Sequence, residues 1–375
     1  MKIKKTLFTS CNLSLLIASI IICIVLLELF VRAFIPVSYN YWQYNRDFHH
    51  TFINNLDIVR NYWNYSLDFK TDSHGFRSKE FPYQKQKNLN RVLVIGDSIT
   101  SSVSTPSNKI YTSLLQDYLN TSTSQWEVIN RGIEAWSTDI EYLYLTKEGY
   151  EYEPNIILLQ LSQNDVTDIV VYNITSIKNN TLIVKDWFEP PSVSQKINRY
   201  INRYSAAYRI IADFYNNQIK DRNNELNFYI NEGYTPDFYT AMKKITMLIE
   251  VMNKYAAKKG SLFVVAIYAD PRAVNKEYYT FWNKMQKNYL PYQELKKPII
   301  LLKDFLVKHK IEYVDTSNSI NETTDYISLE DGHLSELGNK KMAELIYKKI
   351  VEINKKNNKR KTCVVKTNTK RDTPK

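Results

Sequence analysis

Short apolar runs and helix-spaced stretches alternate along the middle of the chain. RVLVIGDS (91–98) is an apolar, partly β-branched run ending in Gly-Asp-Ser, and it reads as a buried parallel strand entering a loop. KIYTSLLQDYL (109–119) has helical spacing through Ile110, Leu114, Leu115 and Tyr118. WEVINRG (126–132) predicts a second strand, TDIEYLYLTKEGY (138–150) a helix stopped near Gly149, and NIILLQLSQND (155–165) a third buried strand. The rhythm breaks over about 170–235, which reads as an insertion lying over the strand ends. A helix over about 236–258, a strand over 261–270, a helical region over 276–309 and a strand over 311–317 then follow. The last helix is expected from about Ser335 to Lys356, apolar at Leu337, Met342, Leu345, Ile346 and Ile350. Strands alternating with helices predict an α/β fold with a parallel sheet covered on both faces. Sites in such sheets form beyond the C-terminal strand ends.

The two ends of the chain have a different character. From Thr6 to Leu27 there is no charge, a run of about 22 residues where about 20 span a bilayer. Lys2, Lys4 and Lys5 precede it, so the positive-inside rule keeps the N-terminus cytoplasmic and the rest extracytoplasmic. Residues 1–35 therefore read as an uncleaved signal anchor, a single-pass transmembrane helix. The rival, a cleaved signal peptide, has a shorter apolar region and would place Arg32 at its cleavage site. Residues 36–90 are aromatic-rich and irregular, a stalk or a wrap over the core. Residues 353–375 read as a basic, disordered tail. From Lys355 onward nine Lys and Arg face one Asp, so about eight of the formal +11 charges sit there. The folded part, about 91–352, is only mildly basic, which argues against nucleic acid as a partner. Cys11, Cys23 and Cys363 suggest no disulfide framework.

Candidate chemistry clusters after the strands. Ser98 follows Gly96-Asp97, and a serine nucleophile needs an exposing turn and a base in reach. The Gly132 amide and the Asn164 side chain are candidate oxyanion donors, although each also suits a simple turn. Asp165 and Asp168 are read as bonding loop backbone. His333, in EDGHLSELGN, is the candidate base, with Glu330 and Asp331 as candidate orienting acids. No metal-ligand spacing and no glycine-rich phosphate loop is present. G-x-S-x-G is absent as well.

In this order Gly-Asp-Ser, Gly, Asn-Asp and an acid-plus-histidine resemble the SGNH hydrolases, the GDSL esterase/lipase family. DSHGFRSKEFP (72–82) resembles the lead-in of membrane-anchored members. The resemblance implies a three-layer α/β/α sandwich and chemistry without a cofactor. It implies Ser98 as nucleophile and His333 as base, with the Ser98 and Gly132 amides and the Asn164 side chain as oxyanion hole. Two departures stand out. Ser162 replaces the usual glycine of the third block, and the position three before His333 is Glu330 rather than aspartate. Asp331 has the family's residue type and Glu330 its spacing; the glycine between Asp331 and His333 would permit the tight turn their contact needs. The reading is an anchored esterase or acyltransferase acting on acyl esters, O-acetyl esters of envelope glycans foremost, in a bacterial setting. The alternatives are a non-catalytic envelope protein on the same fold, or an anchored lipase. In the lipase, Tyr204, Tyr208, Ile210, Ile211 and Phe214 would line an apolar cleft.

Overall fold

The computed structural model describes residues 2–35, 40–61, 65–120, 124–215, 229–230, 233–285 and 291–368. The chain opens with helix α1 (Lys2–Phe34), then short strands at Trp42–Asn45, His49–Phe52, Asp57–Asn61 and Ser66–Lys70. Strand β1 (Leu89–Gly96), α2 (Ser98–Ser101), α3 (Tyr111–Leu119), β2 (Gln125–Gly132), α4 (Thr138–Lys147), β3 (Ile156–Leu161) and α5 (Asp165–Tyr172) follow. A hairpin (Thr175–Lys178, Thr181–Val184) leads to α6 (Val193–Tyr204) and α7 (Ala206–Tyr215). The chain then runs through α8 (Pro236–Lys258), β4 (Leu262–Ile267), α9 (Pro271–Val274), α10 (Lys276–Met285), α11 (Lys297–Lys308), β5 (Glu312–Asp315) and α12 (Glu336–Asn368).

Strands β1 to β5 form one parallel sheet in the order β5-β4-β3-β1-β2. Period-2 alternation sends successive side chains to opposite faces. Val92, Val94, Leu158, Val264 and Val314 face α3 and α12, where they meet Tyr111, Leu115, Met342, Ile346 and Ile350. The intervening Leu93, Ile95, Ile157, Leu159 and Val265 are fully buried toward the other layer, α4 and α8. Both faces being covered explains why these strands are continuous apolar runs. The expected three-layer α/β/α sandwich is thus the fold. Because β2 lies on one side of β1 and β3 on the other, the strand order reverses between β1 and β3. The crevice at the C-terminal ends of these two strands is where such sheets hold their sites.

Two local outcomes differ from the sequence pattern. Leu337 is exposed, since the inward face of α12 runs through Asn339, Met342, Ile346 and Ile350. Helix α12 continues to Asn368, through most of the segment expected as a disordered tail. No Gly or Pro interrupts 339–368, and Lys, Glu, Met and Leu favour helix. Residues 369–375 lie outside the described residues. Of the two readings given for 36–90, the segment from Phe69 follows the wrap: Phe69 and Phe76 are buried, and Asp72 forms a buried ion pair with Arg131 of β2 at 2.7 Å.

The chain divides into two compact units. The sheet and its helices belong to the larger, Asn45–Asp57, Phe69–Phe188 and Asn227–Lys375. The smaller comprises Met1–Tyr44, Ile58–Asp68 and Glu189–Leu226. The segment read as an insertion therefore splits, its hairpin falling in the first unit and α6 and α7 in the second. Within the smaller unit, Val31 of α1 packs on Ala206 and Ala207 of α7. Residues Asn12–Phe34 of α1 are long and apolar enough to cross a membrane, which fits an anchor or a signal sequence.

Candidate active site

Ser98 is the first residue of α2, a single turn entered directly from β1. The Asp97 side chain accepts the Ile99 N–H at 2.9 Å and caps that turn. Gly96 lets β1 end close against its neighbours: a Cβ there would lie 2.2 Å from Thr100 Oγ1 and 2.6 Å from Gln160 Oε1. The far end of α2 is held by Arg77 of the DSHGFR segment. Its guanidinium donates to the carbonyls of Ser101, Ser102 and Thr105 and to Ser107 Oγ. Asp72, in the same segment, accepts the His74 and Phe76 amides and pairs with Arg131. The lead-in is therefore a brace beneath the serine turn.

His333 sits on the loop between β5 and α12. Its Nε2 lies 2.9 Å from Ser98 Oγ and its Nδ1 lies 2.5 Å from Asp331 Oδ1. The same Asp331 oxygen accepts the His333 backbone N–H at 3.0 Å. Glu330 is exposed and makes no hydrogen bond among the described residues. Gly332 takes no left-handed φ. It is required for space, because a Cβ there would sit 2.9 Å from Pro271 Cγ of α9. Tyr268 and Tyr278 donate to the carbonyls of Gly332 and Ser328, and the Trp282 Nε1–H donates to that of Leu329, pinning the loop. Ser335 caps α12 by accepting the Gly338 N–H. Burial alone would lower the His333 pKa. The hydrogen bond and charge of Asp331, with Asp97 and Glu134, outweigh burial and raise it. For Asp331 burial works upward, and the His333 contacts prevail and lower it.

The oxyanion side differs from expectation at Gly132. Its N–H donates to Asn130 Oδ1 at 2.9 Å, so it is already engaged. A Cβ on it would meet Thr100 at 2.5 Å. The glycine answers to packing, not to a free donor. Beyond β2, the exposed Ala135 takes a left-handed φ of 59°, uncommon for a residue with a Cβ. Asn164 is exposed at the start of α5 and gives one N–H of its amide to Asp168 Oδ2 at 2.9 Å. Its second N–H is a further donor. Burial pushes Asp168 up to about 7, against the Asn164 bond and with help from Asp97 and Asp139. Asp165 accepts the Ser162 N–H and the Thr138 hydroxyl and so fixes the loop, as read from sequence.

One positioning residue escaped sequence reasoning. Asn339 is fully buried, and its Oδ1 accepts the Tyr111 N–H at 2.9 Å and the Ser102 hydroxyl at 3.3 Å. Its Nδ2 donates to the Leu334 and Ser335 carbonyls. It joins the serine turn to the histidine loop. The available signal was a polar residue on the inward face of the last helix. Among the described residues no group of His, Cys, Asp and Glu could hold a metal ion.

The sequence matches the GDSL-like lipase/acylhydrolase family over residues 92–346, more than half of the chain. No curated protein matches it. Similar solved structures include a lipolytic protein of the G-D-S-L family from Desulfitobacterium hafniense, at 12% identity and a TM-score of 0.39, covering 69% of this chain and 99% of that one. Another is an acetylxylan esterase from Geobacillus stearothermophilus, at 11% identity and a TM-score of 0.40, covering 70% and 94%. A third is an acylhydrolase from Bacteroides fragilis, at 15% identity and a TM-score of 0.38, covering 72% and 89%.

Proposed function

Because the chain belongs to the GDSL-like lipase/acylhydrolase family, we propose that it is a serine esterase or acyltransferase held by α1 at the extracytoplasmic face of a membrane. The observation that carries this reading is the continuous hydrogen-bonded line from Asp331 through His333 to Ser98. Ser98 Oγ attacks the ester carbonyl while His333 Nε2 takes its proton. Asp331 keeps the proton of the neutral ring on Nδ1 and stabilises the imidazolium that forms. The negative oxygen of the tetrahedral intermediate is met by the Ser98 amide and the second Asn164 N–H. His333 then returns its proton to the leaving alcohol, which leaves an acyl-Ser98. Water completes hydrolysis, or a sugar hydroxyl completes transfer.

The substrate class we assign is an O-acetyl ester of an envelope glycan, since an anchored domain works beside the envelope. A fluorophosphonate probe and a series of esters test both parts. Wild type is expected to label and to cleave acetyl esters in preference to long-chain esters. Ser98→Ala is expected to do neither, with unchanged folding. Equal labelling of both proteins rejects the nucleophile, and preference for long chains makes the protein an anchored lipase.

A further inference from the structure

Helix α6 is amphipathic but has no buried residue. At 100° per residue, Val193, Ile197, Tyr200, Ile201 and Tyr204 fall on one stripe. Lys196, Arg199 and Arg203 flank that stripe on one side, and Gln195, Asn198 and Asn202 lie opposite it. Every residue of the stripe is exposed, Val193 by 73% and Tyr200 by 67%. In α7 the inward Ala206 and Ala207 pack on α1, while Ile211, Phe214 and Tyr215 form a second exposed apolar face, Phe214 by 65%. A helix with such a stripe ordinarily buries it, so this pair lacks its partner.

The attachment to α1 identifies that partner. The Glu28 carboxylate of α1 accepts the Ala206 and Ala207 amides and the Ser205 hydroxyl, and so caps the start of α7. Arg32 pairs with Glu28 at 2.7 Å and donates to the Tyr204 carbonyl at the end of α6. The α6–α7 corner is thus tied to the last turns of the membrane-length helix. Around the tie, Leu29, Phe30 and Phe34 of α1 remain exposed and apolar. The corner therefore meets α1 at the level where its lipid-compatible surface ends.

We propose that α6 and α7 form an interfacial hairpin whose apolar faces lie in the outer boundary of the same bilayer that α1 crosses, with Lys196, Arg199 and Arg203 directed to anionic headgroups. The reading rests on the anchor assigned above. An interfacial helix sinks its apolar face about 5–10 Å into the headgroup and acyl boundary, and Tyr rings suit that depth. The hairpin would fix the tilt and rotation of the anchor and would bury apolar surface that water otherwise meets. Residues 193–215 then serve lipid contact, and Tyr204, Ile211 and Phe214 are not the lining of a substrate cleft.

The test uses the full chain with Cys11, Cys23 and Cys363 replaced by alanine, in vesicles of equal parts phosphatidylcholine and phosphatidylglycerol. Single cysteines are placed by Ile197→Cys, Tyr204→Cys, Ile211→Cys, Gln195→Cys and Leu16→Cys and labelled with an environment-sensitive fluorophore. With lipids brominated high on the acyl chain, the probes at 197, 204 and 211 are expected to lose about half of their fluorescence. The probe at 195, on the opposite side of α6, is expected to keep its signal. Lipids brominated deep in the chain are expected to quench the probe at 16. If the probe at 16 is quenched and those at 197, 204 and 211 are not, the hairpin assignment is overturned and the anchor stands. If the unquenched cysteines cross-link between chains, the face belongs to a second copy, which also overturns the proposal. If the probe at 16 is unquenched as well, the anchor itself falls and the proposal falls with it.

Discussion

Asp331 Oδ1 contacts both the ring Nδ1 and the backbone N–H of His333, while Glu330 points outward. The sequence left these two acids open, because spacing favoured one and residue type the other. The decision lay in a loop path set by Pro271, Tyr268 and Tyr278, which no local pattern encodes. Asp331→Asn is expected to lower kcat/KM by about 10²–10⁴, because the wrong ring tautomer then faces Ser98. Glu330→Gln is expected to leave it within about twofold. The pH profile provides a second check. The base must be neutral to act, and Asp331 raises its pKa, so activity falls as pH drops through a midpoint above the ordinary value of about 6.5. In Asp331→Asn that midpoint is expected to move down; an unmoved acid limb would count against Asp331 as its partner. Gly132 carries a similar lesson. Its place after β2 was legible, but its reason was not, since the engaged amide and the Thr100 contact exist only once β1 and β2 pair.

At the scale of elements, the serine turn is too short to stand alone. Four residues of helix gain little from their own hydrogen bonds. Its C-terminal carbonyls are satisfied by Arg77, which is nearly fully buried. Arg77→Met would strand those acceptors, and a loss of about 2–4 kcal/mol is expected in chemical denaturation. Helices α4 and α5 bring Asp139, Glu141 and Asp165 together in the interior, all nearly or fully buried. Neither carboxyl oxygen of Glu141 has a hydrogen-bond partner among the described residues. Burial first, then the charges of Asp165, Asp97, Asp139 and Asp168, raise its pKa well above the usual range. The folded state thus keeps a proton that the unfolded chain releases above about pH 4.3. Its stabilising effect is complete below that value and declines as pH rises toward the folded pKa. Glu141→Gln carries no such penalty. Its melting temperature is expected to gain on wild type between pH 5 and pH 8, and a constant difference across that range would refute the neutral-acid account. The strands and long helices were legible because each buries whole faces, so period 2 and period 3.6 survive in the sequence. The brace formed by Asp72 and Arg77 was visible only as a motif, since its partners lie on β2, at the end of α2 and in the turn after it.

At the scale of the whole molecule, chain order and space part company. The sheet order β5-β4-β3-β1-β2 brings the ends of β1 and β3 side by side and the loop after β5 back over them. Ser98 and His333, more than two hundred positions apart, thereby come within hydrogen-bond distance. The N-terminal helix belongs to the smaller unit, with α6 and α7. If it is an uncleaved anchor, alkaline carbonate leaves the full-length chain in the membrane pellet with its intact mass. A soluble chain that starts after residue 33 would make α1 a cleaved signal sequence.

The sequence by itself determined the layer architecture and the membrane-length helix, and it singled out Ser98, Asn164 and His333 as candidates for acyl chemistry. These follow from periodicity, from uninterrupted apolar length and from side-chain type, all of which are local. Only the tertiary structure decided which acid meets His333, why Gly132 and Gly332 are glycines, and that Asn339 ties the two halves of the site together. Each depends on an approach between distant segments at hydrogen-bond or van der Waals distance, a quantity that one-dimensional spacing does not contain.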